Sequence, residues 1–168
     1  MSIAVYPGTF DPVHNGHIDI ARRAACIFDK VIVGVYDRPQ KNLMFSVNDR
    51  VAMAIEALAD CPNITVRRYH GLTVDFCRQV GASVIVRGLR VISDFELEYQ
   101  MALMTRKLDE GVDMVCLMTS LDSAFISSSI VKDVALAGGQ SPSLCQPTSK
   151  KHCAYVWLPE TRSSAIEC

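Results

Sequence analysis

A chain of 168 residues, 49% hydrophobic and 21% charged, has the size and composition of one soluble globular domain with a single substantial core. Its 17 Lys and Arg against 18 Asp and Glu leave a net charge of −1. That balance excludes a broad nucleic-acid footprint and leaves anion binding to local clusters of basic groups. No apolar run approaches the ~18–20 residues that cross a bilayer, so no membrane association is expected.

Ile3-Ala4-Val5-Tyr6 reads as a first strand that Pro7 and Gly8 end. It starts beside Met1 without a basic leader or cleavage site, which sets the expectation of a cytoplasmic protein. Asn15 to Phe28 carries helical spacing, and Val31–Tyr36 is a continuous apolar strand of the kind buried on both faces. After the loop Asp37–Asn42, a helix starts at the N-cap Ser46 and runs through Val51, Ile55 and Leu58 to Cys61-Pro62. Ile64–Tyr69 is a third strand, Thr73–Val80 a short helix ended by Gly81, and Ser83–Arg87 a fourth strand. A longer helix spans Asp94–Leu108, and Met114–Met118 is the fifth strand. The last helix, Ser127–Leu136, stops at Gly138-Gly139. This alternation predicts an α/β fold, a Rossmann-like, doubly wound sheet of five parallel strands over residues 1–139. Residues 140–168 form a separate tail.

In such sheets ligands bind beyond the carboxyl ends of the strands, near the point where strand order reverses. Gly8–His17, Arg38–Asn42, Gly71–Thr73, Arg87–Arg90 and Ser120–Ser129 each follow a strand, so five strand ends converge on one cleft. Gly8–His17 suits a polyphosphate, because it opens onto a helix start with unpaired N–H groups and partial positive charge. Gly8 and Gly16 admit a close backbone approach, and His14 and His17 share one face if the helix has begun. Arg87-Gly88-Leu89-Arg90 places two guanidinium forks around a glycine after a buried strand. Lys41 is a loop ammonium within reach of the same cleft, and Ser127-Ser128-Ser129 adds three hydroxyls at a helix start.

Other residues read more plainly. Glu98 is either a salt-bridged carboxylate or a contact to a ribose or amino group. Asp11 reads as an Asx-turn residue before Pro12. Met101, Met104, Met114 and Met118 read as core filler. The seven cysteines form no Cys-x-x-Cys pair, and Cys26, Cys77 and Cys116 fall on apolar faces or strands. Reduced thiols are expected, with no protein-built metal site. No Walker lysine motif and no Ser-His-Asp or Cys-His arrangement is present. The inventory fits nucleotidyl or phosphoryl transfer, in which the protein positions two anions and neutralises charge on phosphorus.

Thr9-Phe10-Asp11-Pro12 with Asn15-Gly16-His17, then Arg87-Gly88-Leu89-Arg90, Asp94-Phe95-Glu96 and Ile126-Ser127-Ser128-Ser129, resemble the bacterial phosphopantetheine adenylyltransferase family of the nucleotidyltransferase superfamily. The resemblance runs from Met1 to about Gly139 and implies that ATP and 4′-phosphopantetheine give dephospho-coenzyme A and pyrophosphate, with Mg²⁺ assisting. It further implies that Thr9 meets both substrates by its hydroxyl and Phe10 by its backbone. His17 would bond the α-phosphate in the transition state, with Lys41 and Arg90 also catalytic. Lys41 and Arg87 would bind the acceptor phosphate, and Thr73 would line the pantetheine arm. Gly88, Leu89, Arg90 and Glu98 would contact ATP. Ser123, Ala124, Phe125, Ile126, Ser127, Ser128 and Ser129 would close over adenine and triphosphate. A homohexamer and feedback binding of coenzyme A are implied as well.

Three features depart from the family pattern. His14 stands where Thr is usual, giving the His-x-Gly-His motif of cytidylyltransferases and class I synthetases, which keeps nicotinamide mononucleotide and glycerol phosphate open as acceptors. Thr105 replaces an Asn and loosens an expected acceptor contact. The family continues past Gly139 into an acidic amphipathic helix. Here Ser141–Cys168 has no helical periodicity and holds Cys145, Cys153 and Cys168, and the expectation is a substituted, disordered tail. A nucleotide or coenzyme A sensor without turnover is the non-enzymatic reading. Retention of His17, Lys41 and both arginines argues against it.

Overall fold

A computed structural model describes residues 1–39 and 42–138. In chain order these form β1 (Ile3–Gly8), α1 (Asn15–Ile27), β2 (Lys30–Tyr36), α2 (Val47–Ala57), β3 (Ile64–Tyr69) and α3 (Thr73–Val80). There follow β4 (Val84–Leu89), α4 (Ile92–Leu108), β5 (Asp113–Met118), a 3-10 turn (Leu121–Ser123) and α5 (Ser128–Leu136). All strand pairs are parallel, in the order β3-β2-β1-β4-β5. Strand order reverses between β1 and β4, so the switch point lies at their carboxyl ends. The expected α/β class, strand number and sheet type are all present.

The pleat divides the core. Ala4, Tyr6, Val31, Val33, Val35 and Val86 pack with Ile18, Ile20, Ala21 and Ala24 of α1 and Met53 and Ala57 of α2. Their neighbours Val5, Ile32 and Ile85 face the other way, onto Phe76 and Cys77 of α3. The central strands β1 and β2 are therefore covered on both faces, as their unbroken apolar runs require.

Several boundaries and burials differ from the sequence reading. β1 continues through Pro7 and Gly8 because these residues pair with Gly34 and Val35 of β2. On its other side β1 pairs with β4 only at Ala4 and Val5, so Pro7's missing N–H costs no ladder bond there. β4 runs on to Leu89, held by β5 through Gly88↔Leu117 and Leu89↔Met118, so Arg87 and Gly88 lie inside a strand rather than after one. α4 begins at Ile92, two residues early. On α2 the inward stripe is Arg50, Met53, Ala54 and Ala57, while Ile55 is 52% exposed.

Met101, Met104 and Met118 are exposed, not core filler. Of the cysteines assigned to apolar positions only Cys77 is buried; Cys26 and Cys116 are exposed. α4 is apolar around much of its circumference, and Ile92, Phe95, Leu97, Tyr99 and Leu103 all reach solvent. Among the described residues no helix is long and apolar enough to cross a membrane. Lys41 and the tail 140–168, on which two of the expectations fall, lie outside the described residues.

Candidate active site

The cleft forms where the sheet splits. β1 and β4 are bonded at Ala4↔Val84 and Val5↔Ile85 and no further, so the carbonyl of Pro7 is left for another donor. Arg87 supplies it. Its Nη1 donates to Pro7 O at 2.9 Å, while Nε and Nη2 donate to Glu98 Oε2 and Oε1 at 2.8 and 2.6 Å. Glu98 comes from α4 and is buried. Glu98 is thus a salt-bridged carboxylate, and it also lines the cleft. Arg87 forms a bidentate ion pair that also closes the gap between two strands.

On either side of this pair lie two cavities. The larger, about 380 Å³, is lined by Thr9, Phe10, His14, Gly16 and His17 from the β1–α1 turn, Gly88 and Arg90 from β4 and its end, and Ser127, Ser128 and Ser129 from α5. The smaller, about 180 Å³, is lined by Tyr36, Tyr69, Thr73, Met101, Thr105 and Met114 among others. Pro7, Gly8, Thr9, Arg87 and Glu98 line both and form the wall between them.

The β1–α1 turn is shaped by its rings. Phe10 has φ +51°, in the left-handed region that a bulky residue avoids, and its buried ring lies edge-on to Tyr6 and His17 at 5.5 and 4.9 Å. A Cβ on Gly8 would stand 2.9 Å from Phe10 Cζ, and one on Gly16 3.2 Å from the His14 ring. Both glycines thus make room for side chains of the turn itself. Asp11 is not an Asx-turn residue. Its buried carboxylate accepts from the backbone N–H groups of Met44 and Phe45 and from Lys132 Nζ at 3.0 Å, tying the turn to the start of α2 and to α5.

His14 caps α1, and its ring stacks on that of His17 with centroids 3.7 Å apart. The His14 backbone N–H donates to His17 Nδ1 at 3.3 Å. With Nδ1 accepting, the neutral His17 imidazole carries its proton on Nε2 and presents a donor there. Burial, with a contribution from Arg90, pushes the pKa of His14 down to about 4, so His14 is neutral at pH 7.

Arg90 pairs with Asp94 through Nε and Nη2 at 3.1 and 3.2 Å, and its Nη1 reaches Ile126 O at 3.5 Å. Ser127 caps α5 by accepting from Ile130 N–H, and Ser128 donates to Pro12 O at 3.0 Å. Of the segment Ser123–Ser129, only the three serines Ser127–Ser129 line the larger cavity. Ser123 and Ile126 are buried, and Phe125 is 63% exposed. Leu89 is also buried away from the cavity, and its carbonyl accepts from Thr119. Gly88 lines the cavity, and a Cβ there would meet Ile20 Cγ1 at 3.0 Å. Thr73 Oγ1 lies 3.0 Å from the Tyr69 hydroxyl at the smaller cavity.

Sequence reasoning missed Tyr36, Tyr69 and the role of Met101 and Met114 in this cavity, because an inward strand or helix residue at a cavity has the same spacing as one in the core. It also missed Arg50, 0% exposed, whose Nη1 donates to Thr9 O at 2.6 Å and Tyr36 O at 2.8 Å.

The family profile described as cytidylyltransferase-like matches residues 5–134. The chain is 52% identical over 139 residues to the phosphopantetheine adenylyltransferase of Roseiflexus castenholzii, covering 83% of this chain and 87% of that protein. It is 48% identical over 147 residues to that of Moorella thermoacetica, covering 88% and 92%. Among solved structures, a bifunctional NMN adenylyltransferase/ADP-ribose pyrophosphatase from Francisella tularensis superposes with TM-score 0.65 at 16% identity, over 89% of this chain and 46% of that one. That last likeness is one of fold. The chain belongs to the cytidylyltransferase-like nucleotidyltransferases, within the phosphopantetheine adenylyltransferase family.

Proposed function

We propose that the chain transfers the adenylyl group of ATP to 4′-phosphopantetheine, giving dephospho-coenzyme A and pyrophosphate by in-line displacement with no covalent intermediate. The observation that carries this reading is the pair of cavities sharing one wall at Thr9, Arg87 and Glu98. The larger is polar and glycine-rich and suits a nucleoside triphosphate. The smaller, walled by Tyr36, Tyr69 and Met101, suits an uncharged pantetheine arm whose phosphate would reach the shared wall.

The acceptor phosphate is a monoester with a second pKa of ~6, mostly dianionic at neutral pH. It needs no general base. The barrier is the repulsion between that dianion and the triphosphate. The His17 Nε2–H would donate to an α-phosphate oxygen as charge builds on it, and a neutral donor held by the His14 amide needs no reorganisation at that moment. Thr9 would meet both substrates, since it lines both cavities. Arg90 would turn from Asp94 towards the triphosphate, with the N-terminus of α5 and Ser127–Ser129 beside it. Lys41 would add its ammonium from the acceptor side, where Arg87 contributes its field from within the Glu98 pair.

The carboxylates at the larger cavity, Asp94 and Glu98, are each bound to an arginine, and no cluster of three ligating side chains occurs among the described residues. These residues do not build a cage for Mg²⁺, which would enter as part of the substrate, MgATP, held by phosphate oxygens. The exposed apolar residues of α4 suit contact between subunits, and a homohexamer is proposed on the family's pattern. Coenzyme A would be held by both cavities and so compete with both substrates. A cytoplasmic location is proposed with it.

Pyrophosphate release from ATP and Mg²⁺ tests the assignment, with 4′-phosphopantetheine, nicotinamide mononucleotide and glycerol 3-phosphate offered in parallel. Release with phosphopantetheine alone is expected. Release with another acceptor alone would overturn the substrate assignment and make the His14 motif the better guide.

A further inference from the structure

Among the described residues, Arg50 is the largest side chain that the fold buries completely, at 0% exposure. It projects from α2 and spends a single nitrogen, Nη1, on two carbonyls: Thr9 O at 2.6 Å and Tyr36 O at 2.8 Å. Thr9 and Tyr36 stand at the carboxyl ends of the neighbouring strands β1 and β2. Its Nε and Nη2 are buried with no hydrogen-bond partner among the described residues. Burial lowers its pKa, against the opposing charges of Asp11 and Asp37. A buried cation with two unsatisfied donors is a poor stabiliser, since its desolvation is only partly offset. Its location suggests another use.

The peptide between Thr9 and Phe10 is planar and trans, so the Thr9 C=O and the Phe10 N–H point in opposite directions. Arg50 draws the C=O towards α2, which turns the N–H away from α2, towards the cavity that Thr9 and Phe10 line. Phe10 is also the described non-glycine residue with positive φ. A conformation of that kind persists only where its surroundings hold it. The Arg50 bond on one side of Phe10 and the Asp11 bonds on the other supply that hold.

We propose that Arg50 is a positioning residue for adenylyl transfer: by clamping the Thr9 and Tyr36 carbonyls it holds the Thr9–Phe10 peptide so that the Phe10 N–H is aimed at the triphosphate. The proposal rests on the adenylyl-transfer reading of the cleft. It separates Arg50 from the groups that touch substrate. Arg50 has no access to solvent, and its effect passes through one peptide plane. Because Thr9 lines the wall shared by both cavities and Tyr36 lines the smaller one, the same clamp also fixes the spacing of the two substrates.

The test compares Arg50→Met, Arg50→Gln and Arg50→Lys with the wild type. It measures kcat, both KM values and, by calorimetry, the affinity and stoichiometry of ATP binding. Arg50→Met is expected to lower kcat by ~10²-fold, the scale of an ångström-level misplacement at a reacting centre, with about one ATP site per chain retained. Arg50→Lys keeps the charge and can still donate to both carbonyls without the fixed fork, so it should recover part of that loss. Two results would overturn the inference. One is Arg50→Met with kcat and both KM values within about threefold of wild type. The other is a loss matched by an equal fall in ATP stoichiometry, each remaining site turning over normally, which would make Arg50 a folding residue only. Where Arg50→Met yields no folded protein, Arg50→Lys and Arg50→Gln are read by the same criteria. An inactive wild type would instead strike the adenylyl-transfer reading itself.

Discussion

The larger cavity is floored by backbone and small polar groups, with two histidines and a helix start, whereas the smaller is walled by two tyrosines and two methionines. The first is built to hold charge, the second to hold length and shape. Between them stands a wall that is neither: an ion pair, Arg87–Glu98, bonded in two places and anchored by a third bond on a strand carbonyl. Residues facing the charged cavity should therefore act on turnover, residues facing the apolar one on acceptor KM, and the wall on both. Substitutions can break or sharpen that division.

The largest effect is expected at His17. His17→Ala should lower kcat by ~10²–10³-fold and change both KM values little, because the Nε2 donor is worth most when charge has built on phosphorus. Steady-state kinetics decides this, and a raised KM with kcat unchanged would place His17 in ground-state binding.

His14 gives the charged cavity a pH dependence. Its pKa is near 4 in the fold against 6.5 for a free imidazole, with burial the main cause. Between those values the unfolded chain binds the proton and the fold does not, so stability is full above pH 6.5, falls as pH drops through that window, and levels near 4. The loss is about 3 kcal/mol. Urea denaturation at pH 7 and pH 4.5 should show this slope in wild type and a flatter one in His14→Asn. Equal slopes would remove His14 from the account.

At the wall, Glu98→Gln keeps the shape and removes the charge that faces Arg87. The expected cost is about 2 kcal/mol of unfolding free energy by urea denaturation, with KM raised for both substrates. An effect on one substrate alone would mean that the cavities are less joined than their shared lining implies. The smallest effect belongs to the apolar side. Tyr69→Phe removes one neutral bond to Thr73, about 1 kcal/mol, and should raise acceptor KM a few-fold while sparing kcat and ATP affinity.

The same contrast explains what the sequence made legible. Strands β1 and β2 are buried on both faces, so their apolar runs locate them within a residue or two. The charged cavity was visible because its residues are of types that a core does not need: Gly8, Gly16, His17, Arg87, Arg90 and a run of three serines. The apolar cavity was not, since Tyr36, Tyr69 and Met114 sit at positions that a filled core would also occupy, and the sequence does not distinguish the half-exposed Met101 from a core methionine. Arg50 was hidden for a related reason. Val51, Ile55 and Leu58 offer helical spacing as good as that of Arg50, Met53, Ala54 and Ala57; packing against the sheet keeps Leu58 and part of Val51 on the core, leaves Ile55 outside and turns Arg50 inward. Pairing across the sheet was equally unreadable. Partners 11 and 80 residues away, Glu98 and Pro7, each accept from Arg87, and no local sequence pattern marks either as its partner.

The measurement that bears most directly on the account follows the label of ATP carrying ³²P at the α-phosphorus, with and without 4′-phosphopantetheine. The account predicts label in dephospho-coenzyme A, one per pyrophosphate released, none retained on acid-precipitated protein, and no turnover when the acceptor is withheld. Label fixed on the protein in the absence of acceptor, with pyrophosphate released, would contradict direct transfer across the shared wall.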